Sequence, residues 1–247
     1  MNERRSVERP NGVDDIAVGS AKRLDGRIYV LTIFLTEKEW ALDDKLVVFK
    51  TIRDGETWLE QQAASYGKTV TFVNGEAGLF KPFISSIPPD YDSGSPSVTI
   101  VKENMAKLGY PTGKDFIDWT KERAGCSQAF VFVVANAYGR GYAIPFWAEG
   151  PDWAFLEGCI LYHNPEYKLK PCSIAHEFLH LFGAWDLYPT DVQSQENSDR
   201  MEKMFPNEVM HTHAPLDKLE MSPLTAWLVG LTDKEEPWFE SFRPKYP

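Results

Sequence analysis

The sequence predicts an α+β fold built from buried strands and amphipathic helices. Apolar runs rich in β-forming residues occur at 27–36, 129–135 and 155–163, and they suit strands that are covered on both faces. Apolar residues spaced by threes and fours at 45–66 are typical of a helix with one buried face. Glycine- and proline-rich stretches separate these segments, so strands and helices are interleaved along the chain.

After the first strand, a long helix is predicted at 45–66. Asp43 or Asp44 is the expected N-cap, because a short carboxylate can accept from the free backbone N–H groups of the first turn. Gly67 lies just past the end of the helix, where glycine is favoured. A short strand is predicted to follow at 69–74.

The middle of the chain is predicted to hold a long loop, a helix and three further strands. The loop covers 75–96, which is rich in Gly, Pro, Ser and Asp. Ser97 is expected to cap the next helix, and Gly109 to end it. The further elements are a helical turn or two at 115–123, a strand at 129–135, an edge strand at 138–147 and a strand at 155–163. The edge position follows from Pro145, which cannot donate to a central ladder.

The C-terminal part is predicted to hold two helices. Ser173 begins the first, and Gly183 ends it. Ser222 as N-cap and Pro223 at the first helical position predict a second, short helix. The remaining segments are a polar loop at 190–203 and an aromatic tail at 235–247 that packs back on the body.

Composition and charge exclude several functions. The 247 residues include 26 Lys and Arg against 36 Asp and Glu, and a net charge of −10 argues against nucleic acid or an anionic membrane as partner. No apolar run reaches the roughly 18–20 residues of a membrane span. The first dozen residues lack the apolar core of a secretory signal, so a cytoplasmic protein is expected unless export follows a non-standard route. Three cysteines are too few for a disulfide scaffold, and Cys159 and Cys172 are expected to be buried thiols unless an oxidising compartment pairs them.

The segment SIAHEFLHLFGAWDLY carries the chemistry. His176 and His180 are four residues apart, so both imidazoles emerge from one helix face and can share a Zn²⁺ ion. Glu177 would lie beside the metal, where a carboxylate can take a proton from water. Gly183 would end the helix, and the turn would deliver Asp186 as an oxygen ligand. Three protein ligands and one open position are typical of a catalytic zinc site.

An ordinary buried helix with hydrogen-bonded His and Glu side chains is the alternative interpretation of an isolated HExxH. The chain has only five His, so a chance match is already rare. The additional Gly and Asp at fixed spacing make it rarer still. The metal site is therefore the preferred interpretation.

The segment HEFLHLFGAWD resembles the zinc-binding consensus of the metzincin metallopeptidases, in the variant where Asp replaces the usual third His. It is similar in this to the snapalysin-like small bacterial proteases. The resemblance implies a twisted, mostly parallel sheet of about five strands with an edge strand at the cleft, packed helices including the zinc-binding helix, and a small C-terminal subdomain. The implied division is a flexible arm at 1–23, a catalytic domain at 24–231 with subdomains 24–183 and 184–231, and a tail at 232–247 packed on the body.

The resemblance also implies the activity of a zinc-dependent metalloendopeptidase. Zinc would be held by His176, His180 and Asp186, with Glu177 as general base and then general acid. Metzincins carry a methionine in a tight turn beneath the metal, and Met210 in the segment PNEVM is the candidate. A core methionine near a turn is the alternative interpretation of this residue.

A protein or peptide substrate is implied to bind in extended form along an edge strand, here 137–146. The glycines of this segment would allow close backbone approach, and a plain surface hairpin is the alternative. A monomer with no nucleic-acid partner is expected. Two features depart from the family pattern: the carboxylate third ligand, which occurs in few branches, and the lack of a recognisable latency motif or secretory signal.

The sequence leaves open which residue would stabilise the oxyanion. Some metzincins place a Tyr two residues after the methionine, and Thr212 occupies that position here. His211, His213 or Tyr188 could serve instead, and each could equally be part of the cleft wall.

Three other functions stay open. A zinc hydrolase of a non-protein or formyl-type amide could use the same His-Glu-His helix. A gluzincin-type peptidase would take its third ligand from Glu196, Glu202 or Glu208. A catalytically silent zinc-binding or interaction protein could share the scaffold, although an intact Glu177 counts against it.

Overall fold

The computed structural model has one sheet in which five strands lie side by side. It describes residues 19–36, 40–79, 83–84, 95–139, 141–144, 156–163, 166 and 168–244. The strands are β1 (Gly26–Thr36), β2 (Val70–Ala77), β3 (Phe83–Ile84), β4 (Gln128–Ala135), β5 (Tyr142–Ile144) and β6 (Glu157–Tyr162). The strand order is β2-β1-β4-β6-β5, and the short β3 pairs with the end of β1. All these pairs are parallel except β5 with β6, which confirms the predicted α+β class with a mostly parallel sheet.

Six α-helices accompany the sheet in the described part of the chain. They are α1 (Leu42–Ser65), α2 (Ser95–Lys107), α3 (Gly113–Trp119), α4 (Pro171–Leu181), α5 (Gln195–Met204) and α6 (Pro223–Leu228). A π-helical turn follows α3 at Thr120–Ala124, and 3₁₀ turns lie at Leu216–Lys218 and Phe239–Phe242. None of the described helices combines the length and apolar character that crossing a membrane requires.

The sheet is buried on both faces because β1 and β4 alternate apolar side chains between two cores. One core joins residues such as Val30 and Phe132 to α1, α4 and α6. The other joins residues such as Ile33 and Val131 to α2 and α3. This double coverage is the physical reason why the two strands are apolar at nearly every position. It also fixes α4 against the sheet, since α4 contributes Ile174 to the first core.

Several predicted boundaries are wrong. α1 begins at Leu42, and Ala41 before it makes no side-chain cap. Asp43 and Asp44 lie inside the first turn, where their negative charge interacts favourably with the positive end of the helix dipole. α4 begins at Pro171 rather than Ser173, because proline is well suited to the first helical position.

Two elements occupy segments that were predicted to be loops. β3 lies within 75–96, and β2 also runs on to Ala77. α5 lies within the polar segment 190–203, where Ser194 caps the helix by accepting from Asn197 N at 3.2 Å. Only Ser198 and Met201 of α5 are buried, so the helix has almost no apolar periodicity for a sequence analysis to detect.

The start of the described chain is bonded to the sheet. Ser20 Oγ donates to Ala129 O at 2.8 Å, and Ala21 N donates to the buried Glu157 carboxylate at 2.8 Å. The predicted flexible arm therefore does not extend to residue 23. The arm up to residue 18, most of the predicted loop at 75–96, Pro145 and the tail residues 245–247 lie outside the described residues. In the described part of the tail, Phe239 and Phe242 are buried in the first core.

Candidate metal centre

α4 presents two imidazoles on one face, and the turn after it returns a carboxylate to them. His176 Nε2 and His180 Nε2 are 3.2 Å apart. Gly183 has φ of +97°, which glycine adopts without strain, and the chain reverses there. Asp186 Oδ1 then lies 3.2 Å from the Nε2 atom of each imidazole. No other set of three or more His, Cys, Asp and Glu side chains converges in this way within the described residues.

Both imidazoles are held in one tautomer by backbone carbonyl groups. His176 Nδ1 donates to Val209 O at 3.0 Å, and His180 Nδ1 donates to Ala184 O at 2.8 Å. A carbonyl can only accept, so each neutral ring carries its proton on Nδ1 and its lone pair on Nε2. The two Nε2 lone pairs therefore face each other and the Asp186 carboxylate.

Three lone-pair donors at these separations fit a metal ion. Three ligands of a tetrahedral zinc site, each about 2.0–2.1 Å from the ion, lie roughly 3.3 Å apart. The three observed separations are all 3.2 Å. Asp186 Oδ1 is buried and accepts no hydrogen bond of good geometry, although two ring nitrogens are close to it. A cation removes the mutual repulsion of these three atoms, so the cluster is compatible with a metal site.

The charges of the cluster are strongly coupled. Burial opposes the charged forms of both His180 and Asp186, but each group is beside the other. For His180, burial would lower the pKa, and the Asp186 carboxylate outweighs it and raises the pKa to about 9. For Asp186, burial would raise the pKa, and the two imidazoles hold it far below its usual range. Asp186 is therefore ionised at neutral pH.

A cavity of about 340 Å³ opens beside His176. Its wall includes the following residues: Gly139, Gly141, Leu161, Tyr162, Leu169, Ser173, His176, Glu177, Tyr188 and His213. Glu177 thus shares one cavity with His176, as its position in the sequence predicts. The apolar wall from β6 and the loop before α4 carries no signal in the sequence, because it forms only when the sheet places Leu161 and Tyr162 beside α4.

The segment after α5 contacts His176. Met210 is fully buried, and its carbonyl accepts from Leu187 N at 3.0 Å, one residue after Asp186. Val209 supplies the carbonyl that fixes His176. This segment is held in turn by the buried Glu208, whose carboxylate accepts from Met210 N at 3.2 Å.

Glu208 also ties this segment to α6. Its carboxylate accepts from Thr225 Oγ1 at 2.8 Å and from Ser222 N. Burial raises the pKa of Glu208, and these hydrogen bonds partly offset the effect. Neither Glu208 nor Glu196 nor Glu202 belongs to the metal cluster of the described residues, so the gluzincin-type third ligand has no support here.

The residues suggested for oxyanion stabilisation separate into two groups. His213 and Tyr188 line the cavity, and their rings lie 5.7 Å and 6.1 Å from the His176 ring between centroids. His211 points elsewhere, with Nε2 3.0 Å from Ser198 Oγ on α5. Thr212 is not part of the cavity wall, and its backbone N donates to Glu208 O.

The edge strand and the cysteines complete the surroundings of the site. β5 lies at the end of the strand order and begins at Tyr142, later than the predicted start at 138, and residues 145–147 lie outside the described chain. Gly139 packs on the Tyr162 ring so closely that a Cβ atom would be 2.6 Å from it.

Burial raises the pKa of Cys159, and the nearby Glu177 carboxylate adds to the effect. All three cysteines are buried free thiols, so Cys159 and Cys172 are not paired.

A comparison with solved structures finds a weak likeness to metalloproteinase-II from Bacteroides fragilis. The TM-score is 0.39 and the sequence identity is 13%. The alignment covers 88% of this chain and 59% of that one, so this chain spans less than two thirds of its length. No protein-family model and no curated protein matches the sequence.

Proposed function

We propose that this chain is a zinc-dependent metalloendopeptidase of metzincin type. The observation that carries the proposal is the convergence of three lone pairs, with Glu177 lining the cavity next to them. Two neutral imidazoles and one carboxylate oxygen are a donor set that suits Zn²⁺. His176, His180 and Asp186 would hold the ion and leave its remaining position open toward the cavity.

The reaction follows from the position of Glu177. When bound, zinc would polarise the scissile carbonyl and lower the pKa of water toward ~7. Glu177 takes one proton from the attacking water, and the water oxygen bonds to the amide carbon. The C–N bond then breaks, and Glu177 passes its proton to the leaving nitrogen, which leaves a carboxylic acid and an amine. The carbonyl groups that accept from the two imidazoles keep both rings in the tautomer that this chemistry needs.

An extended peptide is the proposed substrate. β5 lies at the edge of the sheet and directly follows Gly141, which lines the cavity together with Gly139. A strand edge offers free backbone N–H and C=O groups, which bind a peptide backbone without regard to its side chains. The absence of side chains at the two glycines would let the substrate backbone approach closely.

Met210 is proposed to form the hydrophobic floor under the metal. Its full burial and its backbone bond to Leu187 support this role, because they link the methionine turn to the segment that carries Asp186. The side chain would act from beneath the ligands and shape their geometry.

The test is hydrolysis of casein and of a peptide library by the purified, zinc-loaded protein, with metal analysis of the same sample. We expect about one zinc per chain, loss of cleavage with a chelator, and recovery when zinc is restored. Glu177→Gln should bind zinc normally and should lower the turnover rate by about 10²–10⁴-fold, because the proton carrier is lost. The matched control is Glu202→Gln, an exposed residue of α5, which should behave like the wild type.

Each other outcome has a defined meaning. Full peptidase activity in Glu177→Gln would contradict the mechanism. Hydrolysis of formyl or other small amides, with no cleavage in the peptide library, would replace the peptidase by an amide hydrolase. Stoichiometric zinc without turnover on either substrate class would indicate a non-catalytic protein and contradict the proposal.

A further inference from the structure

His213 is a cavity residue that has no role in the proposed metal site and is not the proposed proton carrier. His213 lines the cavity together with Glu177, and its ring centroid is 5.7 Å from that of His176. His213 is an exposed residue, and as part of the cavity wall it can meet a substrate. His176 Nε2 is one of the converging ligand atoms. The His213 ring, which is close to this imidazole, would therefore be next to the reacting part of a bound substrate.

The hydrogen-bond partners of the five histidines distinguish His213 from the others. The described structure engages each of the other four rings, as follows: His163 Nδ1 accepts from Leu169 N, His176 Nδ1 donates to Val209 O, His180 Nδ1 donates to Ala184 O, and His211 Nε2 contacts Ser198 Oγ. The His213 ring has no hydrogen bond to any described residue. Within the described part of the chain, its polar ring atoms are therefore left to a ligand. A polar group on a cavity wall costs desolvation free energy if it meets only an apolar substrate.

Amide hydrolysis creates a need for such a group. Negative charge grows on the carbonyl oxygen as water adds to the amide carbon, and Glu177 cannot donate to it while it accepts the proton of the water. A neutral imidazole always carries one N–H donor. A donor that is already positioned before the reaction costs no rearrangement when the charge appears.

We propose that His213 is a catalytic residue that donates a hydrogen bond to the carbonyl oxygen as it becomes negative. This role rests on the proposed peptidase function and adds to it the donor that the ligand set and Glu177 do not supply. Tyr188 and Tyr162 are the tyrosine rings on the wall, and the Tyr188 ring is stacked at 24° on that of His176. Both tyrosines already make an interaction within the protein, whereas the His213 ring has no hydrogen bond to a described residue that a substrate would have to break.

The experiment compares His213→Phe, which keeps a ring beside His176, with His213→Gln, which keeps a side-chain N–H donor. His211→Gln is the matched control, because His211 is on the same segment but outside the cavity. Steady-state kinetics would be measured on a peptide that the wild type cleaves. Calorimetry on the zinc-loaded proteins would measure two uncleavable ligands of the same sequence: a phosphinic peptide with a tetrahedral anion, and a ketomethylene peptide with a neutral carbonyl.

We expect His213→Phe to lower kcat by about 10²–10³-fold while KM changes by less than about threefold. Binding of the phosphinic peptide should weaken by a similar factor, and binding of the ketomethylene peptide should not change. The kcat of His213→Gln should be at least about tenfold higher than that of His213→Phe. The kcat of His211→Gln should resemble that of the wild type. Zinc content and thermal unfolding of each variant establish that the site is intact.

Three results would overturn the proposal: wild-type kcat in His213→Phe, a change in KM alone, or equal weakening of both ligands. The two proposals can fail separately. If the wild type cleaves no peptide, the peptidase proposal fails, while selective loss of phosphinic peptide binding would still support a donor at His213. If the wild type cleaves peptides and His213→Phe does so equally well, only the role of His213 is lost.

Discussion

At the scale of single residues, the positions of two imidazole protons orient the candidate metal ligands His176 and His180. Val209 O and Ala184 O take the Nδ1 protons of His176 and His180, so the lone pairs meet at one point. In the metal-free protein, a proton can partly replace the cation there, and it resides on His180, whose pKa the adjacent Asp186 carboxylate raises to about 9 against the effect of burial. A metal ion must therefore displace this proton in order to bind.

Zinc binding is expected to be pH-dependent for this reason. Burial alone would lower the pKa of His180, but Asp186 raises it to about 9, above the ordinary 6.5. Zinc affinity should therefore rise about tenfold per pH unit between pH 7 and 9, with release of about one proton per ion at pH 7.5. Competition titrations across this range and calorimetry in buffers of different ionisation enthalpy measure both quantities.

Asp186→Ala is the control for this prediction. Without the carboxylate, only the Glu177 charge and the Ala184 carbonyl oppose the effect of burial on His180, so its pKa should fall and the pH dependence should move to lower pH. Zinc should also bind more weakly, since one of three ligands is lost. An affinity that does not change between pH 7 and 9 in the unmodified protein would contradict the proposed proton on His180. In the metal-free protein, the raised pKa of His180 contributes stability that is fully present below pH 6.5 and is lost as the pH rises to about 9.

At the scale of elements, one buried carboxylate joins the segment around Met210 to α6. Glu208 accepts from Met210 N, Ser222 N and Thr225 Oγ1. Val209, the next residue, carries the carbonyl that orients His176. The order of the metal cluster therefore depends on an element that contributes no ligand to it.

Glu208→Ala should destabilise the protein by about 3 kcal/mol, because it leaves three buried donors without an acceptor. Glu208→Gln should cost less, since the amide retains one acceptor oxygen. The exposed Glu202→Ala on α5 should stay within about 0.5 kcal/mol of the wild type. Urea unfolding of the metal-free proteins measures these differences, and equal stabilities for Glu208→Ala and Glu202→Ala would show that the carboxylate does not hold the segment.

The prediction of elements from the sequence succeeded where buried residues form a clear apolar pattern. β1, β4 and β6 are apolar on both faces and were found within about two residues, and Gly183 marks the end of α4 with its positive φ. α5 was missed because only one apolar side chain, Met201, anchors it. The N-cap of α1 was misplaced because Asp43 and Asp44 suit the first turn as well as the cap.

At the scale of the whole molecule, the beginning of the described chain is fastened to the sheet through a buried acid. Ala21 N donates to the Glu157 carboxyl group, which is fully buried at the start of β6, and Ser20 Oγ lies 3.4 Å from the same group. Gly19 packs so closely that a Cβ atom would be 2.0 Å from the carboxylate. Burial raises the pKa of Glu157 to about 8, although these hydrogen bonds act in the opposite direction.

Stability should therefore fall as the pH rises from about 4.5 to about 8. In this range the unfolded chain has lost the Glu157 proton and the folded chain keeps it, so each rise in pH favours unfolding. Glu157→Gln cannot ionise, and it should remove a decline on the order of a few kcal/mol. Urea unfolding of both proteins at several pH values from 5 to 8.5 measures the difference, and parallel curves would contradict a protonated Glu157.

The sequence by itself determined the local geometry of this protein. Helical periodicity puts His176 and His180 on one face, the backbone freedom of Gly183 ends α4, and three further residues bring Asp186 back to them. These relations are set within about ten residues, so spacing alone predicts them.

Only the tertiary structure decided what surrounds these three residues. The carbonyl of Val209, the cavity wall from β6 and the ring of His213 come from segments distant in the chain. The buried acids Glu157 and Glu208 resemble surface residues in the sequence, and their partners are known only once the chain is packed. Such contacts have no period along the sequence, because they depend on which elements the two cores bring together.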